Sequence, residues 1–268
     1  MNSKISKEVN ENYTLNLNNN ELINKYFYKK SNLWIEFIWL DWFKKQKYNK
    51  NEEDDLIDEF KSLEILKSKN EFWLIDLTKK LRDKFKDEKY LDELYIIEPY
   101  TFSSIWKTKY GYDMHKAKWD SDLKVIKDFA KNLYQKYLLL NKVYIFDYIW
   151  FIPPTLTWRK IQIMDYIRDY FLFKEDNLSI LNISKIHWTP TQKSLTKFQD
   201  RLENAKNSFY IWEKNQKLWN ILLIDDAVWS WTTLNFVAEK LRKNNKTNII
   251  IWFSVIWSMR GFDVIKEI

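Results

Sequence analysis

Residues 220–234 read Asn-Ile-Leu-Leu-Ile-Asp-Asp-Ala-Val-Trp-Ser-Trp-Thr-Thr-Leu. Four consecutive apolar residues, 221–224, are typical of a strand that is buried on both faces of a parallel sheet. Two carboxylates follow them, and then a short loop that is rich in hydroxyl groups. After Thr232 the apolar residues recur at helical spacing, at Leu234, Val237, Ala238 and Leu241. The stretch therefore predicts a strand, an acidic pair, a polar loop and a helix, in that order.

The acidic pair is the predicted binding element. In an open α/β sheet, ligands collect beyond the carboxyl ends of the strands, where a loop and the first turn of a helix offer unpaired N–H groups and a positive dipole end. Asp225 and Asp226 come at that end of the predicted strand. Adjacent carboxylates can accept hydrogen bonds from neighbouring sugar hydroxyls, while Ser230, Thr232, Thr233 and the loop amides hold a phosphate one sugar-length away. The expected ligand is a phosphorylated ribose.

The same stretch resembles the 5-phosphoribosyl-1-pyrophosphate (PRPP) signature of type I phosphoribosyltransferases. In that signature, four apolar, two acidic and two small or apolar residues precede a turn rich in Thr, Ser and Gly. The resemblance implies an α/β fold with a Rossmann-like phosphoribosyltransferase core, in which helices flank a mainly parallel twisted sheet. The alternation of strands and helices predicts the same class without the family. The resemblance also implies that Asp225 and Asp226 are catalytic and that PRPP binds to Val228, Trp229, Ser230, Trp231, Thr232 and Thr233.

Two residues of the loop depart from the family pattern. The family has Gly at the position of Trp231 and commonly a small residue at that of Trp229. An indole there would project into the phosphate cradle, where Gly lets the backbone approach the ligand and adopt a positive φ. The literal sequence is therefore expected to be inactive.

The composition offers an explanation for these indoles. The 268 residues include 2 Gly and 15 Trp, together roughly the 7% share that Gly alone usually has. We hypothesise that most of the Trp positions are glycines of the natural protein, encoded by UGA codons that were translated as Trp. Trp119, Trp188, Trp219 and Trp257 agree with this, because each stands in a predicted turn or strand end. The alternative is a genuinely Trp-rich protein.

Other segments resemble the ComF-type subgroup of the family, which is related to the amidophosphoribosyltransferases. Residues 109–120 resemble the segment before its first long helix, predicted here over residues 121–138. Residues 143–152, followed by two prolines, resemble its first core strand and pyrophosphate loop. A pattern over residues 185–209 resembles the region between its central strands. By this resemblance, further PRPP contacts are Pro154, Thr155, Arg159, Lys185, Gln192 and Arg201. From the residues alone, solvated basic side chains and core-packing helices explain these segments equally well.

No Pro-, Gly- or Ser-rich linker divides the chain, so the domain boundary is placed near Tyr100. Residues 1–100 are expected to be an N-terminal accessory or hood region, with a short strand over 72–77 and a charged helix over 78–94. Residues 101–268 are expected to be the phosphoribosyltransferase domain.

The implied reaction transfers 5-phosphoribosyl from PRPP to a nitrogenous acceptor, such as a nucleobase, and releases pyrophosphate. The rival function is a non-catalytic PRPP-binding protein or an accessory protein of competence and DNA uptake, because ComF-type proteins are associated with competence. The chain has no Cys and 2 His, too few for a dedicated zinc site. Any metal is expected to be Mg²⁺ carried by the substrate phosphates, without direct protein ligands. A homodimer is left open.

The net charge of +7 does not point to a nucleic-acid partner. Lys, Asn and Ile are abundant throughout, and no basic stripe with interleaved aromatic residues stands out. No apolar run reaches the roughly 18 residues that a membrane span needs, and the polar first twenty residues do not resemble a signal peptide. We expect a cytoplasmic protein with no membrane partner.

Overall fold

The computed structural model describes residues 50–86, 89–102, 106–154, 159–186, 203–204, 206–212, 214–228 and 232–258. The chain divides into two compact units, Met1–Trp73 and Leu74–Ile268. In the first unit, the described residues form helix α1 (Lys50–Ser68). Residues 52–55, Glu-Glu-Asp-Asp, belong to this helix.

The second unit contains the sheet. Its described elements are, in chain order, β1 (Ile75–Asp76), α2 (Thr78–Phe85), β2 (Glu93–Phe102), β3 (Trp106–Lys107), α3 (Lys109–Trp119), α4 (Leu123–Tyr144), β4 (Tyr148–Phe151), α5 (Ile163–Lys174), β5 (Ile183–Lys185), β6 (Phe209–Ile211), β7 (Lys217–Val228), α6 (Thr232–Asn244) and β8 (Lys246–Ser258). The main sheet has the order β1-β2-β8-β7-β4, with β3 also paired to β2. β2, β8, β7 and β4 are mutually parallel, whereas β1 and β3 are antiparallel to β2. β5 and β6 form a separate antiparallel pair.

This architecture is α/β with a mainly parallel sheet flanked by helices, and it is compatible with a Rossmann-like fold. The coarse fold class predicted from the sequence is therefore confirmed. In the described part of the chain, no helix combines the length and the apolar character needed to cross a membrane.

The strand predicted from the apolar run is an inner strand of the sheet. Residues 221–224 of β7 are 0% exposed, and the strand pairs with β4 on one edge and with β8 on the other. A strand in this position has no solvent-facing side, which explains a continuous apolar run rather than an alternating one. Burial of each such side chain contributes about 1.5–3 kcal/mol.

The order of the strands creates a crevice between β4 and β7. After β4 the chain passes through α5 and returns along the outer edge of β4, where Ile149 and Ile180 form a parallel bridge. After β7 it passes through α6 and returns as β8, on the opposite side of β7. The two connections thus leave in opposite directions. Such a topological switch point opens a crevice at the carboxyl ends of the two strands, where α/β proteins bind ligands.

The strand β2 was not predicted. The helix expected over 78–94 ends at Phe85, and the chain then forms a strand that pairs with β8 from Glu93 to Thr101. Residues 94–97 are all buried, which explains a local apolar run in an otherwise charged region. The boundary expected near Tyr100 falls inside β2, and the compact unit that contains the sheet begins at Leu74.

The helix α4 is longer than predicted. It extends to Tyr144, so the strand expected over 143–152 is reduced to Tyr148–Phe151. Ile145 caps the helix in the left-handed conformation, with φ 49°. The predicted inward residues Ile126, Phe129, Ala130 and Leu133 are buried, but Leu123 is 41% exposed because it opens the helix.

Two other predictions have a different extent in the structure. The strand β5 covers only the first half of the strand expected over 183–188. The helix expected over 194–207 lies mostly outside the described residues.

Candidate functional site

The acidic pair lies where β7 extends beyond its neighbour. The last residue of β4, Phe151, is opposite Ile224, and the N–H of Ile152 donates to the carbonyl of Ile224. β7 continues for four more residues, to Val228, and remains paired with β8 through this extension. Asp225 and Asp226 begin the extension. The pair is therefore at the carboxyl end of the sheet as predicted, although the strand does not stop at the acids.

The two carboxylates lie on different sides of β7. Successive side chains of a strand point to opposite faces of its sheet, and Asp225 and Asp226 are consecutive strand residues. A ligand that contacts both of them must therefore pass around the free edge of β7, beyond the end of β4. The crevice at the topological switch point gives access to that edge.

The side chain of Asp226 is held by a lysine of α3. The Nζ of Lys118 donates to the Oδ1 of Asp226 at 2.9 Å, and the two side chains are 17% and 18% exposed. The other oxygen of this carboxylate, Oδ2, has no hydrogen-bond partner within the described ranges. Within those ranges, that oxygen can still accept a hydrogen bond.

The side chain of Asp225 is held by the backbone of its own strand. Its Oδ1 accepts the N–H of Asp226 at 2.7 Å. Burial, followed by the neighbouring Asp226 carboxylate, raises the pKa of Asp225 to about 8, while Lys118 and two backbone N–H groups act in the opposite direction. Asp225 therefore holds a proton more firmly than an ordinary aspartic acid, and hydrogen-bond donors from a ligand would favour its ionised form.

The helix α6 begins close to the end of β7. β7 ends at Val228 and α6 begins at Thr232, so the predicted sequence of strand, loop and helix is present. Trp229, Ser230 and Trp231 lie outside the described residues. Val228 is fully buried and still paired with β8, and Thr233 is half-buried. The first N–H groups of a helix lack intrahelical partners and attract anions.

The segment after β4 contributes a basic residue. Pro154 is half-buried just beyond the strand, and Thr155 lies outside the described residues. Arg159, also half-buried, precedes α5. Its Nε is buried and has no hydrogen-bond partner in the described part of the chain. This guanidinium group is suited to bind an anion at the same end of the sheet.

Of the remaining predicted contacts, one lies in the second sheet and two lie outside the described residues. Lys185 ends β5 and belongs to the two-stranded sheet, opposite Phe209, rather than to the main sheet. Burial lowers the pKa of Lys185. Gln192 and Arg201 lie outside the described residues. The acidic pair, the start of α6 and the segment after β4 are the predicted parts that lie together by strand order.

The sequence analysis missed Lys118. It lies 108 positions before Asp226 in the sequence, and no local motif connects the two residues. Its position on α3 does carry a signal, because Gly111 and Met114 are buried and Lys118 follows them at helical spacing. A lysine on the inward stripe of a helix needs a partner for its charge, and a carboxylate is the usual one.

The donor set does not form a metal-binding cluster. Among the described residues, no three His, Asp or Glu side chains are grouped to hold a metal ion. Of the two acids of the pair, Asp226 is already paired with Lys118. These residues do not fit a protein-held Mg²⁺, so an ion bound to substrate phosphates stays a prediction.

Two of the described tryptophans have unusual surroundings. Trp73 has φ 53°, a left-handed conformation that costs bulky residues about 1–2 kcal/mol and costs Gly almost nothing. Trp252 is 1% exposed in the middle of β8, and its indole Nε1 has no hydrogen-bond partner among the described residues. A buried, unsatisfied N–H is unusual for a native tryptophan.

The four tryptophans whose context suggested Gly have different surroundings. Trp119 is the last residue of α3 and is 60% exposed. Trp219 lies inside β7 rather than at its end and is 48% exposed, whereas Trp257 is buried near the end of β8. Trp188 lies outside the described residues. The expected turn or strand-end setting is thus found at 257, whereas residue 119 ends a helix and residue 219 lies inside a strand.

Comparison with protein-family models, with curated proteins and with solved structures finds no match for the chain. Its function is therefore inferred from its own residues and their geometry.

Proposed function

We propose that the unit Leu74–Ile268 binds PRPP at the carboxyl ends of β4 and β7 and transfers its 5-phosphoribosyl group to a nitrogenous acceptor. The observation that supports this most is the acidic pair at the topological switch point, with the start of α6 only six residues after Asp226. Dipole and free N–H groups at that helix start suit the 5-phosphate. The carboxylates lie near the end of β7, before the loop, and can accept hydrogen bonds from the ribose hydroxyls.

The acidic pair would serve both binding and chemistry. Displacement of pyrophosphate breaks the bond between C1 and the diphosphate oxygen, and a nitrogen lone pair of the acceptor forms the new bond to C1. Positive charge develops on the ribose ring in the transition state, and nearby carboxylates stabilise it. Asp225 and Asp226 would hold the ring hydroxyls and place their negative charge beside the ring.

The opposite end of the substrate carries negative charge. Arg159 follows β4, and its Nε has no hydrogen-bond partner among the described residues. This group would stabilise the leaving diphosphate by a charge-assisted hydrogen bond. Mg²⁺ bound to the diphosphate would neutralise further charge when the substrate brings it in. Correct positioning of the two reactants would supply much of the rate enhancement.

The nature of residues 229 and 231 decides which form of the protein is tested. If Trp is native, mass spectrometry of peptides from the natural protein will give Trp masses at both positions, and the recoding hypothesis is wrong. If Gly is native, the full chain with Trp229→Gly and Trp231→Gly is the form to assay. We call this double variant the glycine-restored protein.

Calorimetry of the glycine-restored protein with PRPP and Mg²⁺ tests the binding site. We expect saturable binding that the change Asp225→Asn with Asp226→Asn abolishes. The paired change Asp83→Asn with Asp128→Asn removes the same charge from exposed helix positions, and it should leave the affinity unchanged. If the variant with both acids replaced binds PRPP as tightly as the glycine-restored protein does, the assignment of the acidic pair is wrong.

Turnover separates the two candidate functions. Pyrophosphate release in the presence of PRPP, Mg²⁺ and a panel of nucleobases is expected from a transferase. Tight PRPP binding without pyrophosphate release for any base would instead favour the non-catalytic, ComF-like function.

A further inference from the structure

The contact between Lys118 and Asp226 connects two distant parts of the unit. Lys118 is near the end of α3, which follows β2 and β3 in the chain, and Asp226 is near the end of β7. The helix and the strand end therefore meet on the carboxyl side of the parallel sheet, beside the crevice. An ion pair in this place is positioned to act on a ligand as well as on the fold.

The start of α3 is rigidly placed. Thr108 is 2% exposed, and its Oγ1 accepts the N–H of Gly111 at 2.9 Å and donates to the carbonyl of Pro99 in β2. Gly111 packs so closely that a Cβ added there would lie 2.1 Å from the carbonyl oxygen of Tyr100. The first turn of α3 is thus fixed to β2, and Lys118 contacts Asp226 from a helix that is firmly placed.

The two oxygens of the Asp226 carboxylate have different surroundings. Oδ1 accepts from Lys118, while Oδ2 has no partner in the described residues. A carboxylate that is held at one oxygen loses rotational freedom, so its other oxygen is already oriented when a donor arrives. Lys118 also acts electrostatically on Asp225, so one ammonium group serves both acids.

We propose that Lys118 is a positioning residue of the PRPP site, which holds Asp226 through Oδ1 and thereby directs Oδ2 to a ribose hydroxyl. This inference rests on the proposed function. It adds a residue from outside the strand, loop and helix of the PRPP signature. It also assigns α3 a part in binding the sugar, whereas Arg159 and the start of α6 would bind phosphates.

The test compares a ligand that contains ribose with one that lacks it. Calorimetry of the glycine-restored full chain with Mg²⁺ measures the affinity for PRPP and for inorganic pyrophosphate. We expect Lys118→Met to weaken PRPP binding by about tenfold or more, the value of one hydrogen bond to a charged group. Pyrophosphate binding should be unchanged. Lys118→Arg should restore most of the PRPP affinity, because a guanidinium group can donate to the same oxygen.

Lys127→Met is the matched control. Lys127 is an exposed residue of α4, and its replacement removes the same charge from a helix of the same unit. The affinities of this variant for PRPP and for pyrophosphate should equal those of the glycine-restored protein.

Three results would overturn the inference, and they can be told apart. If the glycine-restored protein binds no PRPP, the proposed function fails and the role of Lys118 fails with it. If PRPP binds and Lys118→Met leaves its affinity unchanged, only the inference about Lys118 is wrong. If both affinities fall together with the melting temperature and Lys118→Arg rescues neither, Lys118 is a structural residue.

Discussion

Replacement of Asp225 by Asn should change how the stability of the protein depends on pH. Burial and the Asp226 carboxylate raise the pKa of Asp225 from 3.8 to about 8 in the folded chain. Between these two values the folded protein binds one proton more than the unfolded chain at this residue. Stability therefore falls as the pH rises, and the contribution of the protonated form is lost as the pH passes through the folded pKa.

The size of the effect follows from this proton. A difference of one bound proton changes the free energy of unfolding by about 1.4 kcal/mol per pH unit. Asn resembles the protonated carboxyl group, and its Oδ1 can still accept the N–H of Asp226. The variant lacks the titration, so its stability relative to the unaltered protein should rise by up to roughly 3 kcal/mol between about pH 5 and about pH 7.

Urea denaturation of both proteins in the absence of ligand, at steps across this pH range, measures the difference. Asp83→Asn in α2, an exposed position, controls for the change of charge. A stability difference between Asp225→Asn and the unaltered protein that stays constant with pH would refute the reasoning, since it would show that the buried carboxyl group is already ionised at low pH.

Three further variants, one of them with a control variant, test the backbone and packing of the described elements. Ile145→Gly should stabilise the protein by about 1 kcal/mol, because Ile145 has φ 49° and is 71% exposed; Val143→Gly, inside the same helix, should instead cost about 1 kcal/mol by urea denaturation. Gly111→Ala should destabilise by about 1–3 kcal/mol, since its Cβ would lie 2.1 Å from the Tyr100 carbonyl oxygen, and an unchanged urea midpoint would contradict that packing. Trp73→Gly should raise the melting temperature because of the φ of 53° at that residue, and a lower melting temperature would show that contacts of the indole outweigh the backbone strain.

Much of the second unit, Leu74–Ile268, could be predicted from short stretches of sequence. The apolar run 221–224, the two acids and the helical spacing after Thr232 identify β7, the acidic pair and α6. This works because a strand that is buried on both faces must be apolar throughout, and because a helix repeats its buried residues every three to four positions. The run of β8 is recognisable for the same reason.

The partner of Asp226 and the set of strands that form the sheet could not be predicted in this way. Lys118 is separated from Asp226 by 108 positions, and β2 comes from a region whose charged residues favoured a continued helix. Strand order decides that β2 lies beside β8 and that β4 and β7 enclose the crevice. Local patterns specify the type of an element and which of its faces is buried, but they do not specify which other element covers that face. That choice depends on contacts between residues far apart in the sequence, which form only when the whole unit packs together.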